Sequence, residues 1–324
     1  MADTTHWSFP APLQPVAAEV GFDLAHALDA VVRLSSRVPD DGFTAASLGT
    51  EREGNGVVIR DDGLIVTIGY LITEADAIWI TTNDGRVVQG HPLAYDFTTG
   101  MGLVLPLGRL GIAPLTMGSA AKVGVDDDVY VIGHGGRAHA LKASVFARRE
   151  FAGYWEYLLD DALFVSPPHP QWGGSALVDQ EGFLIGIGSL LVEEVVDGNR
   201  VQGNMFVPID LLEPILEDLL RTGRTANPPR PWMGMYVTDA QGQLVVAGLA
   251  RSGPAERAGV MVGDRVVDVA GERVHSLADL FRAVWRLGPA GVEVPLAFRR
   301  EDAMVRVRLI SADRSDFLKK PLLH

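Results

Sequence analysis

Residues 54–72 read GNGVVIRDDGLIVTIGYLI, and this stretch is the most informative one for the fold. Two short apolar runs, residues 57–59 and 64–67, flank the polar turn at residues 60–63. Apolar runs of this length around a Gly-containing turn are typical of a β-hairpin. The second run continues directly into residues 68–70, so the stretch predicts a strand whose exit presents Tyr70.

This hairpin resembles a motif of the HtrA (DegP/DegQ-like) branch of the trypsin-like serine proteases. The family motif runs G-S-G, an apolar strand, D-G and then I-V-T-N-x-H-V. The histidine of that motif is the general base of the catalytic triad. In this sequence Tyr70 stands in its place.

The resemblance extends to the two other triad positions. The family's aspartate opens an apolar strand after a D-P-x-T spacer, and residues 96–104 here read DFTTGMGLV, with Gly100 at the aspartate position. The family's nucleophile lies in N-P-G-N-S-G-G-P-L-V, and residues 169–178 read HPQWGGSALV, with Gly173 at the serine position. The resemblance therefore implies the family's frame without its three catalytic side chains.

These replacements bear directly on the expected chemistry. Acyl transfer by a triad requires a hydroxyl activated by an imidazole, which a carboxylate orients. Tyr70 is a neutral phenol at working pH because its reference pKa is about 10, and Gly100 and Gly173 have no side chains. Gln171 replaces a glycine of the oxyanion loop, and it adopts a positive φ less readily than glycine. The sequence predicts a catalytically inactive protease homologue that is not an enzyme.

Other candidate chemistries remain open alternatives. Ser175 lies two residues from the expected nucleophile and would act if a histidine approached it from elsewhere in the chain. His134, His139 and His169 are candidate metal ligands, but no carboxylate lies at ligand spacing to them. We expect loop histidines, no metal site and no cofactor.

Composition limits the classes of function. The chain has 324 residues, a net charge of −13 and no cysteine. Such an acidic chain without a basic cluster is not expected to bind nucleic acid, and the absence of cysteine excludes disulfides and thiolate chemistry. No leader segment or apolar span of about 18 residues is present. We expect a protein without a membrane span that is cytoplasmic as written, or periplasmic if a leader has been removed.

The pattern of short apolar runs predicts a mainly β fold. By resemblance this is a trypsin-like double six-stranded β-barrel followed by an α+β PDZ domain. A helix running into a strand is expected over residues 22–35, a loop over 38–53 and a second helix over 211–221. Further strands are predicted at residues 77–81, 103–107, 129–132, 163–165, 176–178, 184–191 and 205–207.

Domain boundaries follow from composition and from the motifs. Residues 1–21 form an N-terminal extension and residues 22–223 the degenerate protease domain. The Pro-rich residues 224–231 read as a linker. Residues 232–313 form the PDZ domain, and residues 314–324 form a C-terminal tail.

The region after the linker carries several linked motifs that resemble an HtrA-type PDZ domain. Residues 231–236 read PWMGMY, like the W-L-G-V carboxylate-binding loop, and residues 253–260 and 262–271 match two further family motifs. A helix with Ser276 as its N-cap is expected over residues 276–287. PDZ domains bind extended C-termini by strand addition, with loop amides on the terminal carboxylate. The predicted peptide-binding residues are Trp232, Met233, Gly234, Met235, Leu280 and Val284.

Three hypotheses for function follow from these features. The first is an inactive HtrA-like scaffold, adaptor or regulator that binds peptide C-termini or unfolded polypeptide. The second is an active serine endopeptidase with a site rearranged around Ser175. The third is a metal-binding or purely structural double barrel. Resemblance also suggests a homotrimer clasped by Trp7 and Phe9, although a floppy Pro-rich tail is an equal alternative.

Overall fold

The structure is a computed structural model that describes residues 7–196 and 198–320. The described chain divides into two compact units. The first comprises residues 7–149, 161–225 and 319–320, and the second comprises Glu150–Asp160 and Ala226–Leu318. The predicted protease domain, residues 22–223, thus differs from the first unit because residues 150–160 pack within the second unit.

Two closed antiparallel β-barrels account for most of the first unit, which confirms the double barrel that the family resemblance implied. The strand order is β1-β2-β3-β6-β5-β4 in one barrel and β10-β11-β12-β9-β8-β7 in the other. The strands of the first barrel are β1 (Val31–Arg37), β2 (Glu51–Val58), β3 (Ile65–Ile68), β4 (Ala77–Thr81), β5 (Val87–Tyr95) and β6 (Met101–Pro106). Those of the second are β7 (Asp128–Ile132), β8 (Ala140–Gly153), β9 (Tyr157–Ser166), β10 (Ala176–Val178), β11 (Leu184–Val196) and β12 (Asn199–Pro208).

The hairpin predicted over residues 57–67 is present in the structure. β2 pairs with β3 with Val57 opposite Val66, and all of β3 and the second half of β2 are buried. Gly63 closes the turn at φ +86°, a left-handed conformation in which glycine carries no Cβ penalty. β3 then runs into a 3₁₀ turn, Gly69–Leu71, which carries Tyr70.

The helices of the first unit flank these barrels. α1 (Leu24–Asp29) is capped by the Asp23 side chain and leads into β1, which confirms the predicted helix and strand. α2 spans Ala45–Leu48. α3 (Glu213–Thr222) ends at Gly223, whose φ is +71°. The described part of the chain contains no helix that is both long and apolar enough to cross a membrane.

Three departures from the predicted strands have identifiable causes. β5 was missed because it contains Pro92, which lies at a break in register beside β6 and is tolerated there. β8 was missed because charged residues interrupt its pattern, and Arg148 and Arg149 pair with Asp161 and Glu194. The predicted loop over residues 38–53 extends too far, because residues 51–53 already belong to β2. Arg52 is buried there.

The second unit is an α+β domain built on one antiparallel sheet with the order β13-β14-β15-β17-β18. α5 (Leu277–Trp285) has Ser276 as its N-cap, as predicted, and the Ser276 side chain forms a capping box with Asp279. α4 spans Pro254–Arg257. The strands are β13 (Met235–Asp239), β14 (Leu244–Leu249), β15 (Arg265–Val269), β16 (Glu272–Arg273), β17 (Glu293–Arg300) and β18 (Ala303–Ile310).

Candidate functional site

Tyr70 and Gly173 face each other in the first unit. The Tyr70 hydroxyl donates a hydrogen bond to the Ser189 carbonyl at 3.0 Å. A Cβ atom added at Gly173 would lie 2.7 Å from the Tyr70 hydroxyl oxygen, closer than real Cβ contacts allow. Burial raises the pKa of Tyr70 above its ordinary value, so the phenol is neutral. The tyrosine therefore fits only because residue 173 has no side chain.

Gly100 lies next to this pair through the backbone. Its carbonyl accepts a hydrogen bond from the Gly69 amide at 2.7 Å, and Gly69 immediately precedes Tyr70. The φ of Gly100 is +80°, a conformation that favours glycine. The three positions that the motifs align with a triad thus lie close together.

Asn55 connects the loops of this region and is almost fully buried. Its Nδ2 donates to the carbonyls of Gln171 at 2.8 Å and Gly173 at 3.2 Å. Its Oδ1 accepts from the His134 amide at 2.8 Å, and its own amide donates to the Gly173 carbonyl at 2.7 Å. One side chain therefore fixes the loop that carries Gly173.

The other predicted candidates in this loop are directed into the protein. Ser175 is fully buried, and its Oγ donates to the Trp172 carbonyl at 2.8 Å. The Gln171 amide donates to Nδ1 of His169 at 3.0 Å. In the conformation described, the Ser175 hydroxyl hydrogen bonds to a backbone carbonyl and not to an imidazole.

The rings of His134 and His169 contact separate backbone carbonyls. His169 accepts from Gln171 at Nδ1, so its Nε2 carries the proton that it donates to the His139 carbonyl at 2.9 Å. Burial lowers the pKa of His169 to about 4, which keeps the ring neutral. His134 lies 3.3 Å from the Thr82 carbonyl through Nε2. Within residues 7–196 and 198–320, no group of three or more His, Asp or Glu residues could hold a metal ion.

A second candidate site lies in the second unit, where three consecutive amides converge on one carboxylate. Met233 donates to Oε2 of Glu156 at 2.9 Å. Gly234 and Met235 donate to Oε1 at 2.7 and 3.2 Å. Gly234 has a φ of +72°, which turns the loop so that neighbouring amides point the same way. This loop therefore binds a carboxylate.

The predicted peptide-binding residues lie around this loop. Met233, Met235, Leu280 and Val284 are all buried in one apolar cluster. The Trp232 ring packs beside Gly234, where an added Cβ would lie 3.2 Å from it, and it contacts Phe317 with centroids 4.8 Å apart, while its amide donates to the Ala312 carbonyl. Trp232 thus anchors the end of the domain and contributes no amide to the carboxylate.

The carboxyl group of Glu156 is shielded by the protein, although the residue as a whole is only partly buried. Burial raises its pKa from the ordinary 4.5 to about 7, even though the three amides and the nearby Arg314 guanidinium favour the charged form. Arg314 itself donates to the Trp155 carbonyl at 3.2 Å. The group consequently titrates near neutral pH.

Comparison with known proteins assigns both units. The trypsin-like peptidase domain family matches residues 54–187, and the PDZ domain family matches residues 231–310. The serine endoprotease DegS of Escherichia coli (strain K12) is 27% identical over 274 residues, covering 79% of this chain and 75% of DegS. This chain is a homologue of the HtrA proteases.

A second relative and one solved structure are also similar to this chain. A probable periplasmic serine endoprotease, DegP-like, of Halomonas elongata is 26% identical over 285 residues, and the match covers 82% of this chain but 57% of that protein. The solved structure of the HtrA-type protease AlgW with a decapeptide has the same fold, with a TM-score of 0.53. It is 19% identical in sequence, and the match covers 93% of this chain and 100% of that one.

The comparisons contradict the prediction that this HtrA homologue is not an enzyme. Its relatives are named serine endoproteases, and residues 54–187 match a peptidase family. The prediction was drawn from the residues at the three triad positions, Tyr70, Gly100 and Gly173, and from Gln171 in the oxyanion loop.

Sequence reasoning missed Glu156 altogether. It is the single charged residue in the run FAGYWEYLL, residues 151–159, between four aromatic side chains. A carboxylate among aromatic residues is costly to bury unless donors meet it. A single carboxylate within an aromatic run was therefore the feature that could have indicated a site. Its donors could not be identified from the sequence, because the first of them lies 77 residues away.

Trp7 and Phe9 contact their own chain in this HtrA homologue. Trp7 lies edge-on to His139 with ring centroids 4.4 Å apart, and Phe9 lies 5.1 Å from the ring of His169. The first six residues of the predicted extension, 1–21, lie outside the described residues. The trimer through Trp7 and Phe9 stays a prediction.

A double-mutant cycle tests the fit between Tyr70 and Gly173. Gly173→Ala should destabilise the protein by about 1–3 kcal/mol, because the new Cβ overlaps the phenol oxygen. In a Tyr70→Phe background the same change should cost about 1 kcal/mol less, as measured by denaturant unfolding.

Gly174→Ala is the matched control for this cycle. Its Cβ would lie 1.9 Å from the Asn55 carbonyl oxygen and its φ is +73°, so its cost should be the same with Tyr or Phe at position 70. Additive effects of Gly173→Ala and Tyr70→Phe would contradict the proposed overlap.

The titration of Glu156 predicts a pH dependence of stability. Its pKa is about 7 in the folded protein and 4.5 ordinarily, so the stabilisation is fully present below pH 4.5. It is lost as the pH rises through about 7, and the loss amounts to about 3 kcal/mol. Denaturant unfolding of the wild type and Glu156→Gln should give similar free energies below about pH 4.5, diverge between about pH 4.5 and 7, and keep a constant difference at higher pH. Parallel pH curves for the two proteins would contradict the assignment.

Proposed function

We propose that this HtrA homologue binds polypeptides by their C-terminal carboxylates through its PDZ domain. The observation that supports it is the convergence of the Met233, Gly234 and Met235 amides on a carboxylate. A main-chain carboxylate presents the same two oxygens as the Glu156 side chain. Backbone amides in a loop of this shape are a recurring means of C-terminal capture.

The surroundings of the loop supply the other parts of a peptide site. β13 pairs on one side with β14 and stands at the end of the strand order, so its second edge can accept an added strand. The apolar cluster beside it contains Met235, Leu280 and Val284. The preferred ligand is therefore an extended C-terminus with an apolar last residue.

The comparisons support a polypeptide ligand. A PDZ domain family matches residues 231–310, and the AlgW structure contains a decapeptide. The net charge of −13 opposes nucleic acid as a ligand. We propose that exposed C-termini and unfolded segments are the partners, and that the protein acts on them as a scaffold, adaptor or regulator in protein quality control. The cytoplasmic location and its periplasmic alternative stay predictions.

A C-terminal peptide array tests this function on the whole chain. Peptides with free carboxylates and apolar last residues should bind, and amidation of the same peptides should weaken binding at least tenfold, because the charge-assisted hydrogen bonds are lost. Met235→Glu should abolish binding, while Met304→Glu, at a methionine 52% exposed on β18, should leave it unchanged. Equal binding of free and amidated peptides would contradict carboxylate recognition.

The second candidate function is peptide-bond hydrolysis, which the names of the relatives favour. The residue proposed for it is Ser175, two positions from the motif serine. In the described conformation this hydroxyl is buried against the Trp172 carbonyl, so hydrolysis requires residues 171–175 to rearrange and bring a histidine to it.

Labelling with a fluorophosphonate tests this candidate. An endopeptidase should take up one label per chain, cleave casein, and lose both properties in Ser175→Ala. Ser47→Ala, at a partly exposed serine on α2, is the control and should retain them. A chain that neither labels nor cleaves casein would reject the candidate.

A further inference from the structure

Residues 150–160, here called the tip segment, lie where a ligand of the PDZ domain would lie. The Tyr154 carbonyl accepts a hydrogen bond from the Val237 amide at 3.1 Å, on the free edge of β13. Two residues later, Glu156 places its carboxylate on the loop amides. Main-chain pairing with an edge strand and a carboxylate in the loop are the two contacts by which an added peptide is recognised.

The tip segment also fills the apolar part of the groove. Leu158 is 7% exposed and belongs to the same cluster as Met235, Leu280 and Val284. Tyr154 lies against Tyr236 with ring centroids 6.1 Å apart. A bound peptide would need the space that these side chains occupy.

Ion pairs tie both ends of the tip segment to α5. Arg282 on this helix lies 2.6 Å from Glu150, and it also pairs with Asp160. β13 and α5 are the two walls of the groove, and the segment contacts both of them. It is therefore held by α5 as well as by the carboxylate loop.

Three features weaken the binding of the tip segment to the groove, so that it can be released. Glu156 has a φ of +62°, a strained conformation for a residue with a Cβ. Its carboxyl group loses hydration on docking, and this burial raises its pKa. The Arg282 ion pairs are partly exposed, and pairs of this kind add little stability.

We propose that the tip segment is an internal ligand of the PDZ groove, and that a polypeptide with a free C-terminal carboxylate binds by displacing it. The inference rests on the proposed function of the groove and adds its regulation. The measured affinity for a peptide is then the intrinsic affinity reduced by the fraction of molecules whose groove is free.

Fluorescence polarisation with a free-acid peptide chosen from the array tests the competition on the full chain. Glu156→Ala should bind this peptide at least tenfold more tightly than the wild type, because the competing carboxylate is gone. Glu193→Ala is the matched control, since Glu193 lies on β11 in the first unit and pairs there with Arg200. It should bind like the wild type.

A reversible lock provides a second measurement that does not depend on comparing variants. The chain contains no cysteine, so Tyr154→Cys combined with Tyr236→Cys introduces a single possible disulfide between the tip segment and β13. The oxidised protein should lose peptide binding, and reduction of the same sample should restore it.

The outcomes separate this inference from the proposed function. Equal affinities of the wild type and Glu156→Ala, or peptide binding by the oxidised double-cysteine protein, would overturn the internal ligand and leave the peptide site intact. Absence of free-acid binding in the wild type, in Glu156→Ala and in the reduced protein would overturn both.

Discussion

A carboxylate removed from water must find donors within the protein, and in this chain Glu156 finds them in three consecutive backbone amides. The arrangement of the second unit follows from this constraint. Gly234 turns the loop, the Tyr154 carbonyl pairs with the edge of β13, and Leu158 enters the apolar cluster. The amides that donate to the Glu156 carboxylate are equally suited to donate to the C-terminal carboxylate of another polypeptide.

The first unit shows a different kind of fit. Tyr70 points into the space left by Gly173, and Asn55 fixes the loop between them through hydrogen bonds to the carbonyls of residues 171 and 173. These are close steric and polar contacts inside a frame shared with serine endoproteases. The similarity to those enzymes favours hydrolysis, whereas the buried Ser175 hydroxyl is bonded to a backbone carbonyl. Active-site labelling decides whether Ser175 reacts.

Much of the fold could be predicted from local sequence because local rules produce it. The turn at Gly63, the capping box at Ser276 and the stop at Gly223 each depend on residues a few positions apart. β5 and β8 escaped prediction because Pro92 and paired arginines break their alternation, and only the neighbouring strands show why those residues are tolerated.

The candidate sites were predictable only in part. Motif spacing located the amide loop at residues 233–235 and most of the apolar residues beside it. The contact of Glu156 with that loop could not be read from spacing, because it joins residues 77 positions apart and neither sequence stretch specifies its partner. The contact between the rings of Trp232 and Phe317 could likewise not be read from spacing, since Phe317 lies beyond the region of the motif.

Amide hydrogen exchange at Met233, Gly234 and Met235, resolved by nuclear magnetic resonance, tests the central claim most directly. If a carboxylate occupies the loop, these amides exchange slowly in the wild type and much faster in Glu156→Ala, and a free-acid peptide restores the slow exchange. Slow exchange that persists in Glu156→Ala without peptide would show that the loop does not depend on a carboxylate, and would contradict the account.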